Sequence, residues 1–251
     1  MLVMNWMSQP AITIDIDDSV EDALQLIKKH EIHLLPVMQD RQLVGIVTDH
    51  DIKTALASEI PLLKNGEDRP PFSDIEVKKI MTSDPITITD ECIFEEAVEK
   101  LLVHKISGLV VVNQQHEVVG VITQSDLFQL ILILTGFGKK GLQIGIELED
   151  QPGCLKEMTD IIRDYGGRIS SILSTHERAG KGNRRLYIRV FDIDPPSLQH
   201  LKGVIRKKAS LLYVVDHNGK TRETFSTDFD HNDPQKQAKF TKKNGVGADE
   251  Y

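Results

Sequence analysis

Apolar and polar positions in the first fifty residues follow two different periods. Ile12-Thr13-Ile14 alternates and is rich in β-forming residues, which predicts a short strand. From Val20 to His30 the apolar residues recur every three or four positions, so they share one face of a predicted helix, and Asp17-Asp18-Ser19 offers N-caps before it. Two more apolar stretches, Leu34 to Met38 and Leu43 to Thr48, flank a polar turn and predict a hairpin.

The same order of elements then occurs a second time. After the hairpin, Ile52 to Leu63 has a helical pattern, which Asn65-Gly66 ends. A second strand, helix, hairpin and helix follow. The predicted boundaries are 1–64 for the first repeat, 65–77 for a linker and 78–135 for the second repeat.

The repeat can be followed residue by residue. The heptapeptide that runs from Gly45 to Asp51 recurs from Gly120 to Asp126, with Thr-x-x-Asp at the end of both copies. Upstream positions match at an offset of 74, and one extra residue in the turn Asn113-Gln114-Gln115-His116 raises the offset to 75. Two copies of one supersecondary unit usually pack on each other, because neither can bury its apolar face alone.

Each Thr-x-x-Asp stands where a predicted strand ends and a helix begins. Thr at an N-cap with a carboxylate three residues later is the capping-box arrangement, in which side chains satisfy the orphan donors of a helix start. A carboxylate can also accept both hydroxyls of a ribose, and a helix N-terminus attracts a phosphate. Both interpretations, a helix cap and a nucleotide site, are therefore possible. The repetition of the whole order of strand, helix, hairpin and helix favours the nucleotide site.

The order Ile80-Met81-Thr82, Pro85-Ile86-Thr87-Ile88, a helix, an apolar strand and Gly-x-x-Thr-x-x-Asp resembles the CBS domain. Two copies in tandem resemble a Bateman module, and the resemblance covers residues 1–135. It implies a pseudo-twofold pair with clefts between the repeats that bind adenosine-containing ligands. The residues that it implies for nucleotide binding are Thr48, Asp51, Thr123, Asp126, Ile32, Leu34, Ile106 and Gly108.

The candidate ligands are AMP, ADP, ATP and S-adenosylmethionine, and no cofactor is required. Neither Thr-x-x-Asp contains Lys or Arg, and Asp49 adds a carboxylate beside Asp51, so a monophosphate or nucleoside is favoured over a triphosphate. For the four apolar candidates, core packing is an equally good interpretation. Gly108 would let a ring approach the backbone closely.

Beyond residue 135 the pattern changes. A glycine-rich, basic segment is predicted to be a hinge over 136–140. Residues 141–217 then alternate between strand and helix patterns in the order βαββαβ, which is a ferredoxin-like arrangement. The expected fold class is therefore mixed α/β (α+β), with a second domain of this kind after the tandem repeats.

The first turn of that second domain carries a short motif, Asp150-x-Pro152-Gly153-x-Leu155, and Gly166-Gly167 follows the helix. This order resembles an ACT domain, which implies a small effector, often an amino acid, at an interface between paired copies. The implied effector-binding residues are Asp150, Pro152, Gly153, Cys154 and Leu155. Gly153 can bring backbone N–H groups against a carboxylate. A tight turn that only joins strand to helix is the competing interpretation.

Composition excludes several classes. The 251 residues carry a net charge of −8, which argues against non-specific nucleic-acid binding. The longest apolar run is far shorter than the ~20 residues of a membrane span, and no signal peptide is visible. Cys92 and Cys154 form no disulfide framework, so a cytoplasmic location is expected. The histidines lack the spacing of a metal site. Residues 218–251 are expected to be a disordered tail.

A tandem CBS pair followed by an ACT domain resembles the family of acetoin-utilisation proteins. This resemblance implies a ligand sensor rather than an enzyme, a homodimer through both kinds of domain, and a metabolic enzyme as the regulated target. No nucleophile–base pair or phosphate loop with the right spacing is present, so no catalytic residue is assigned. Two alternatives stay open: a scaffold without a ligand, and a nucleotide-processing enzyme that uses Asp51 and Asp126 as acid and base.

Overall fold

The structure is a computed structural model that describes residues 1–58, 75–138 and 141–225. The chain divides between Ile131 and Leu132 into two compact units. The first repeat consists of β1 (Ile14–Asp15), α1 (Val20–His30), β2 (Leu34–Gln39), β3 (Gln42–Thr48) and α2 (Asp49–Ser58). The second consists of β4 (Thr82–Ser83), β5 (Thr87–Thr89), α3 (Phe94–His104), β6 (Gly108–Val112), β7 (Val118–Thr123) and α4 (Gln124–Leu134). The predicted helix beyond Ser58 and most of the predicted linker lie outside the described residues.

Local signals set the limits of α1. The hydroxyl of Ser19 accepts from the N–H of Asp22, and the carboxylate of Asp22 accepts from the N–H of Ser19, which completes a capping box. The helix ends at Glu31, which takes the left-handed conformation with φ 53°. Lys105 ends α3 in the same way, with φ 55°. The helix predicted from Val20 to His30 is confirmed.

The two repeats exchange the segments that precede them. Val3 is fully buried among core residues of the second repeat, while Val77 is fully buried in the core of the first. The backbone pairs likewise: Ser83 of β4 lies opposite Gly45 of β3, and Ser8 lies opposite Val121 of β7. The predicted limits give residues 1–8 to the first repeat, whereas their packing partners lie in the second.

Glycines permit this exchange, because the crossing segments run against the backbone. A Cβ on Gly45 would stand 2.8 Å from Met81 Sδ and 2.9 Å from the carbonyl oxygen of Thr82. A Cβ on Gly120 would stand 2.6 Å from Met7 Sδ and 2.8 Å from the carbonyl oxygen of the following residue. Both distances are below van der Waals contact, so any side chain would displace the segment. The glycine of each Gly-x-x-Thr therefore has a packing role.

The sheets of the two repeats have the orders β1-β2-β3-β4 and β5-β6-β7, and the repeats meet through a small apolar cluster. Leu34, Val110 and Val121 are its buried members. Since Leu34 belongs to the first repeat and the two valines to the second, this cluster joins the repeats into the first compact unit.

The second unit contains β8 (Leu142–Glu149), α5 (Cys154–Asp164), β9 (Arg168–Thr175), β10 (Asn183–Phe191), α6 (Pro195–Lys208), β11 (Ser210–Asp216) and β12 (Thr221–Thr224). The antiparallel sheet has the order β12-β11-β8-β10-β9, which is ferredoxin-like once the edge strand β12 is set aside. The predicted βαββαβ order is the observed one. The expectation of disorder from Asn218 is wrong for β12, because Thr224 pairs with Tyr213 of β11. Residues 226–251 lie outside the described part.

Thr135, which directly precedes the predicted hinge of residues 136–140, and Phe137 within it both belong to the second unit. The carbonyl oxygen of Thr135 accepts hydrogen bonds from Ser171 Oγ and Arg189 Nε, both at 2.8 Å. Phe137 lies beneath the guanidinium of Arg189, 5.5 Å from ring centre to Cζ, and its edge meets the ring of His217. Residues 139–140 lie outside the described residues. Among the helices that the structure describes, none is long and apolar enough to cross a membrane.

Candidate functional site

The first Thr-x-x-Asp is the junction between β3 and α2. Asp51 Oδ2 accepts from the N–H of Thr48 at 2.8 Å and from its hydroxyl at 2.6 Å. Thr48 Oγ1 in turn accepts from the N–H of Asp51 at 3.2 Å. Both side chains are half-buried. The junction is thus a complete capping box that holds the carboxylate in one orientation.

The second junction, between β7 and α4, repeats this geometry. Asp126 Oδ2 accepts from the N–H and the hydroxyl of Thr123, each at 2.7 Å, and Thr123 Oγ1 accepts from the N–H of Asp126 at 3.3 Å. In both copies the single hydroxyl proton of the threonine is committed to the carboxylate, so it does not point at a ligand. In both copies the bonds within the described chain reach Oδ2 only, which leaves Oδ1 able to accept.

Backbone donors at the two helix starts are partly used as well. The N–H of Asp49 donates to the carbonyl of His33 at 3.2 Å, and the N–H of Gln124 donates to the carbonyl of Ser107 at 2.9 Å. Each bond ties the start of a helix to the residue before β2 or β6. The helix dipoles at these junctions therefore keep their positive ends, with fewer unpaired N–H groups than a bare helix start has.

The structure places the four apolar candidates in two pairs. Ile32 and Ile106 are half-buried and pack against the core of their own repeats. Leu34 is 5% exposed, Gly108 is also buried, and the leucine side chain lies against the glycine across the boundary between the repeats. The space in front of Gly108 is thus filled by a side chain of the chain itself.

A concavity of about 310 Å³ lies beside the first junction, between α1 and the start of α2. It contains Ile32 and Asp49, but neither Thr48 nor Asp51 lines it. Asp49 pairs with Lys53 Nζ at 2.7 Å and lies 3.7 Å from His33 Nδ1. The hydrogen bond from Lys53 holds the pKa of Asp49 below its usual value, against the opposing effect of burial. The lining residues are Leu24, Ile27, Lys28, Glu31, Ile32, His33, Asp49, Ile52 and Lys53.

A second concavity, of about 320 Å³, is built by the loop between β8 and α5. All five residues of the predicted effector site line it, together with Gln151 and Arg184. Gly153 is the N-cap of α5 with φ 89°, a conformation that favours glycine, and no side chain caps that helix start. Cys154 is 5% exposed and packs into the core, so only its edge reaches the concavity.

Arg184 and His176, which sequence patterns did not single out, complete this loop. Arg184 Nε lies 2.7 Å from Asp150 Oδ1, although its N–H is not aligned for a hydrogen bond. His176 Nε2 lies 2.7 Å from Asp150 Oδ2. The hydrogen bond with His176 and the charge of Arg184 lower the pKa of Asp150. These partners come from β10 and the loop before it, so only the folded chain brings them to the motif.

Within the described segments, no three His, Cys, Asp or Glu side chains are grouped as a metal site. Cys92 Sγ lies 3.1 Å from Thr89 Oγ1, and the other cysteine is buried.

Comparison with known proteins identifies the repeated part of the chain. A family model described as CBS domain matches residues 3–58 and 77–133. A CBS domain-containing protein of Dictyostelium discoideum is 36% identical over 135 residues, which are 53% of this chain and 92% of that protein. Inosine-5'-monophosphate dehydrogenase of Korarchaeum cryptofilum is 37% identical over 124 residues, 49% of this chain and 23% of the enzyme. The chain thus spans about a quarter of the length of that enzyme.

One solved structure aligns with about half of this chain. A CBS domain pair in complex with 5'-methylthioadenosine and S-adenosyl-L-methionine has 30% sequence identity with this chain. The alignment covers 52% of this chain and 99% of that chain, with a TM-score of 0.45.

Proposed function

The chain belongs to the family of CBS domain-containing proteins, with two CBS domains in tandem, and we propose that it is a regulatory sensor of an adenosine-containing nucleotide. The nucleotide binds between the repeats, where the two Thr-x-x-Asp junctions hold its ribose. The protein is a sensor and not an enzyme, and the ligand is bound without being changed.

One observation carries this proposal: each junction fixes an aspartate through Oδ2 and leaves Oδ1 without a bond among the described residues. A half-buried carboxylate held in one orientation can accept a hydroxyl proton with little further ordering. The four hydrogen bonds that orient Asp51 and Asp126 therefore hold one free carboxylate oxygen in place at each of the two junctions. Such an oxygen can accept a hydrogen bond from a ribose hydroxyl.

Charge near the junctions supports a monophosphate or nucleoside as the ligand. Lys53, which could face a phosphate, is paired with Asp49, and the threonine hydroxyls are committed to their aspartates. Compensation for a triphosphate would need more free cations than these. AMP or a nucleoside such as S-adenosylmethionine is thus preferred to ATP.

Calorimetric titration of the full chain with AMP, ATP and S-adenosylmethionine tests the proposal. Asp51→Asn and Asp126→Asn keep an oxygen acceptor for the cap but replace the second carboxylate oxygen, which accepts from the ribose hydroxyl, with an NH2 group, so both weaken AMP binding by roughly tenfold or more. Asp22→Asn is the matched control, because Asp22 forms the same capping box with Ser19 at the start of α1. It leaves affinity unchanged.

Equal affinity in wild type and both junction variants would refute the nucleotide site and favour a scaffold. Chromatography of the nucleotides after prolonged incubation separates the enzyme alternative. If the wild-type protein converts a nucleotide, and Asp51→Asn or Asp126→Asn abolishes that conversion, the protein is a catalyst.

The loop between β8 and α5 is proposed to bind a small effector with a carboxylate, such as an amino acid, as its resemblance to the ACT family implies. Support comes from the concavity that gathers Asp150, Gly153 and Arg184. The guanidinium and the N-terminus of α5 suit a carboxylate, and Asp150 suits an ammonium group.

A thermal-shift screen of amino acids tests the effector site, since a ligand of the folded state raises the melting temperature. Arg184→Gln abolishes the shift. Arg185→Gln is the control, because Arg185 is the next residue of β10 and pairs with Glu147 at 2.8 Å, away from the concavity. A shift that survives Arg184→Gln rules out this role.

Regulation follows if the two ligands are coupled, so that each changes the affinity for the other by the same factor. Nucleotide titrations with and without the amino acid found in the screen measure this factor. The proposal includes a homodimer and a metabolic enzyme as target, the latter only from the resemblance to acetoin-utilisation proteins.

A further inference from the structure

The tip of the hairpin between β9 and β10 is tied by its backbone to the loop between β8 and α5, which we call the effector loop. The N–H of Asp150 donates to the carbonyl of Gly182 at 2.9 Å, and this bond joins the tip to the loop. The N–H of Ala179 donates to the carbonyl of His176 at 3.2 Å, which closes the turn that carries the histidine. The imidazole of His176 thus reaches Asp150 from a fixed backbone, although it does not line the concavity.

The contact between His176 and Asp150 determines which ring nitrogen carries the proton. Asp150 is an ionised carboxylate, since the hydrogen bond with His176 and the charge of Arg184 lower its pKa. An ionised carboxylate can only accept hydrogen bonds. His176 Nε2, which lies 2.7 Å from Asp150 Oδ2, is therefore the donor. A ring nitrogen that donates its proton in this way has no lone pair left for a second donor.

The guanidinium of Arg184 is consequently paired with Asp150 by charge more than by hydrogen bonding. Its Nη2 lies 3.3 Å from His176 Nε2, which has no lone pair to offer. Its Nε lies 2.7 Å from Asp150 Oδ1, but that N–H is buried, is not aligned with the oxygen and has no hydrogen-bond partner among the described residues. The side chain is only 19% exposed. Because a buried donor without an acceptor is costly, a carboxylate that enters the concavity is a better partner than the misaligned one.

We infer that an amino acid binds to the effector loop by partner exchange, with His176 as a positioning residue. The carboxylate of the ligand takes Arg184, and its ammonium group takes the place of the guanidinium on Asp150 Oδ1. His176 holds Oδ2 throughout, so the side chain of Asp150 does not follow the arginine. The charge of the site is unchanged, because one ion pair within the chain becomes two pairs with a zwitterion. The volume of about 320 Å³ is at the low end for ligand pockets, which suits a small amino acid.

Partner exchange rests on the proposed effector site and adds a requirement for both charged groups of the ligand. A ligand with only a carboxylate would draw Arg184 away and leave Asp150 Oδ1 without a cation. A ligand with only an amine would leave Arg184 without an anion. A site built around both groups rejects an analogue that lacks one of them. The N-acetyl derivative of an amino acid, which keeps the carboxylate but not the ammonium group, therefore binds at least about tenfold more weakly than the amino acid itself.

Thermal-shift screening of the full chain with the common amino acids selects the probe, and calorimetry then compares its affinity for wild type and variants. His176→Ala weakens binding by roughly threefold to tenfold, as expected for the loss of one hydrogen bond that orients Asp150. His176→Gln restores the affinity, because its amide Nε2 can donate to Asp150 as the imidazole Nε2–H does. His200→Ala is the matched control, since His200 is an exposed histidine of α6 that does not line the concavity. It leaves the affinity unchanged.

The outcomes separate the exchange from the effector site itself. If no amino acid shifts the melting temperature of the wild type, the effector site is refuted and the exchange with it. Equal affinity in wild type and His176→Ala, a loss that His176→Gln does not restore, or equal affinity for the amino acid and its N-acetyl derivative would overturn the exchange alone. A measurement without ligand gives a further check: ¹H–¹⁵N spectra of the imidazole rings above neutral pH show His176 as the Nε2–H tautomer. The Nδ1–H tautomer would also overturn the exchange.

Discussion

Leu34 and Gly108 are equivalent positions of the two repeats, and they contact each other. Cδ1 of Leu34 lies 3.1 Å from the point where a Cβ on Gly108 would stand. Because the pair lies at the boundary between the repeats, a leucine in one copy requires a glycine in the other. The resemblance to CBS domains implies that both residues contact the adenine, and this role stays a prediction. In this structure the side chain of Leu34 packs against Gly108.

Gly108→Ala is expected to destabilise the first unit. The added methyl would press on Leu34 and on Thr123 Cγ2, which is 3.4 Å away, and overpacking of this kind costs about 1–3 kcal/mol. The free energy of unfolding in urea measures the cost. Gly203→Ala in α6 is the control, since a Cβ there meets nothing within 4 Å. It should stabilise by about 0.4–1 kcal/mol. Equal effects of the two changes would contradict the contact.

Val3→Ala is expected to lower the stability of the first unit by about 2 kcal/mol, as removal of buried methyl groups does. Val3 is fully buried in the core of the second repeat, although it lies at the other end of the unit in sequence. Leu2→Ala should cost much less, because Leu2 is 38% exposed. Urea unfolding compares the two, and a larger cost for Leu2→Ala would argue against the exchange of segments.

Stability of the second unit should depend on His217 below neutral pH. Burial, and then the charges of Arg189 and Arg222, lower the pKa of His217 from its ordinary 6.5. The unfolded chain therefore takes up the proton first. The contribution is fully present above pH 6.5 and is lost as the pH falls through the lower folded pKa. Melting temperatures from pH 8 to 5 should fall less steeply for His217→Gln, while exposed His200→Gln behaves as wild type.

Two substitutions at the buried ammonium of Lys202 and its partner should lower the stability of the second unit by different amounts. Lys202 is 3% exposed and its Nζ lies 2.6 Å from Glu223 Oε1 on β12. Glu223→Gln leaves a buried charge without its partner and should cost roughly 1–3 kcal/mol, since the glutamate is partly solvated. Lys202→Met removes the charge itself and should cost less. Chemical denaturation that ranked the two in the opposite order would contradict this account.

Sequence patterns predicted best where local signals and packing agree. The helix α1 was predicted at both ends because Ser19 caps its start and its apolar residues keep a helical period to the end. The duplicated Thr-x-x-Asp predicted two equivalent junctions, and the structure gives both the same three hydrogen bonds.

Features that depend on tertiary packing could not be predicted in this way. The exchange of Val3 and Val77 leaves no periodic signal, since each residue only looks like part of its neighbouring repeat. Arg184 and His176 are far from Asp150 in sequence, and only the pairing of β10 with β8 brings them together. The strand β12 contains only polar residues, so its pairing with β11 overrides composition.

The exchanged leading segments also bear on how such a chain could have arisen. A polypeptide with one CBS domain of this design would lack the strand and the buried valine that complete its own core. A second polypeptide would have to supply the strand and the valine, and it would receive its own from the first polypeptide in return. After fusion of two such genes, the segments are exchanged within one polypeptide instead of between two. Neither half can afterwards be inherited as a folded module by itself.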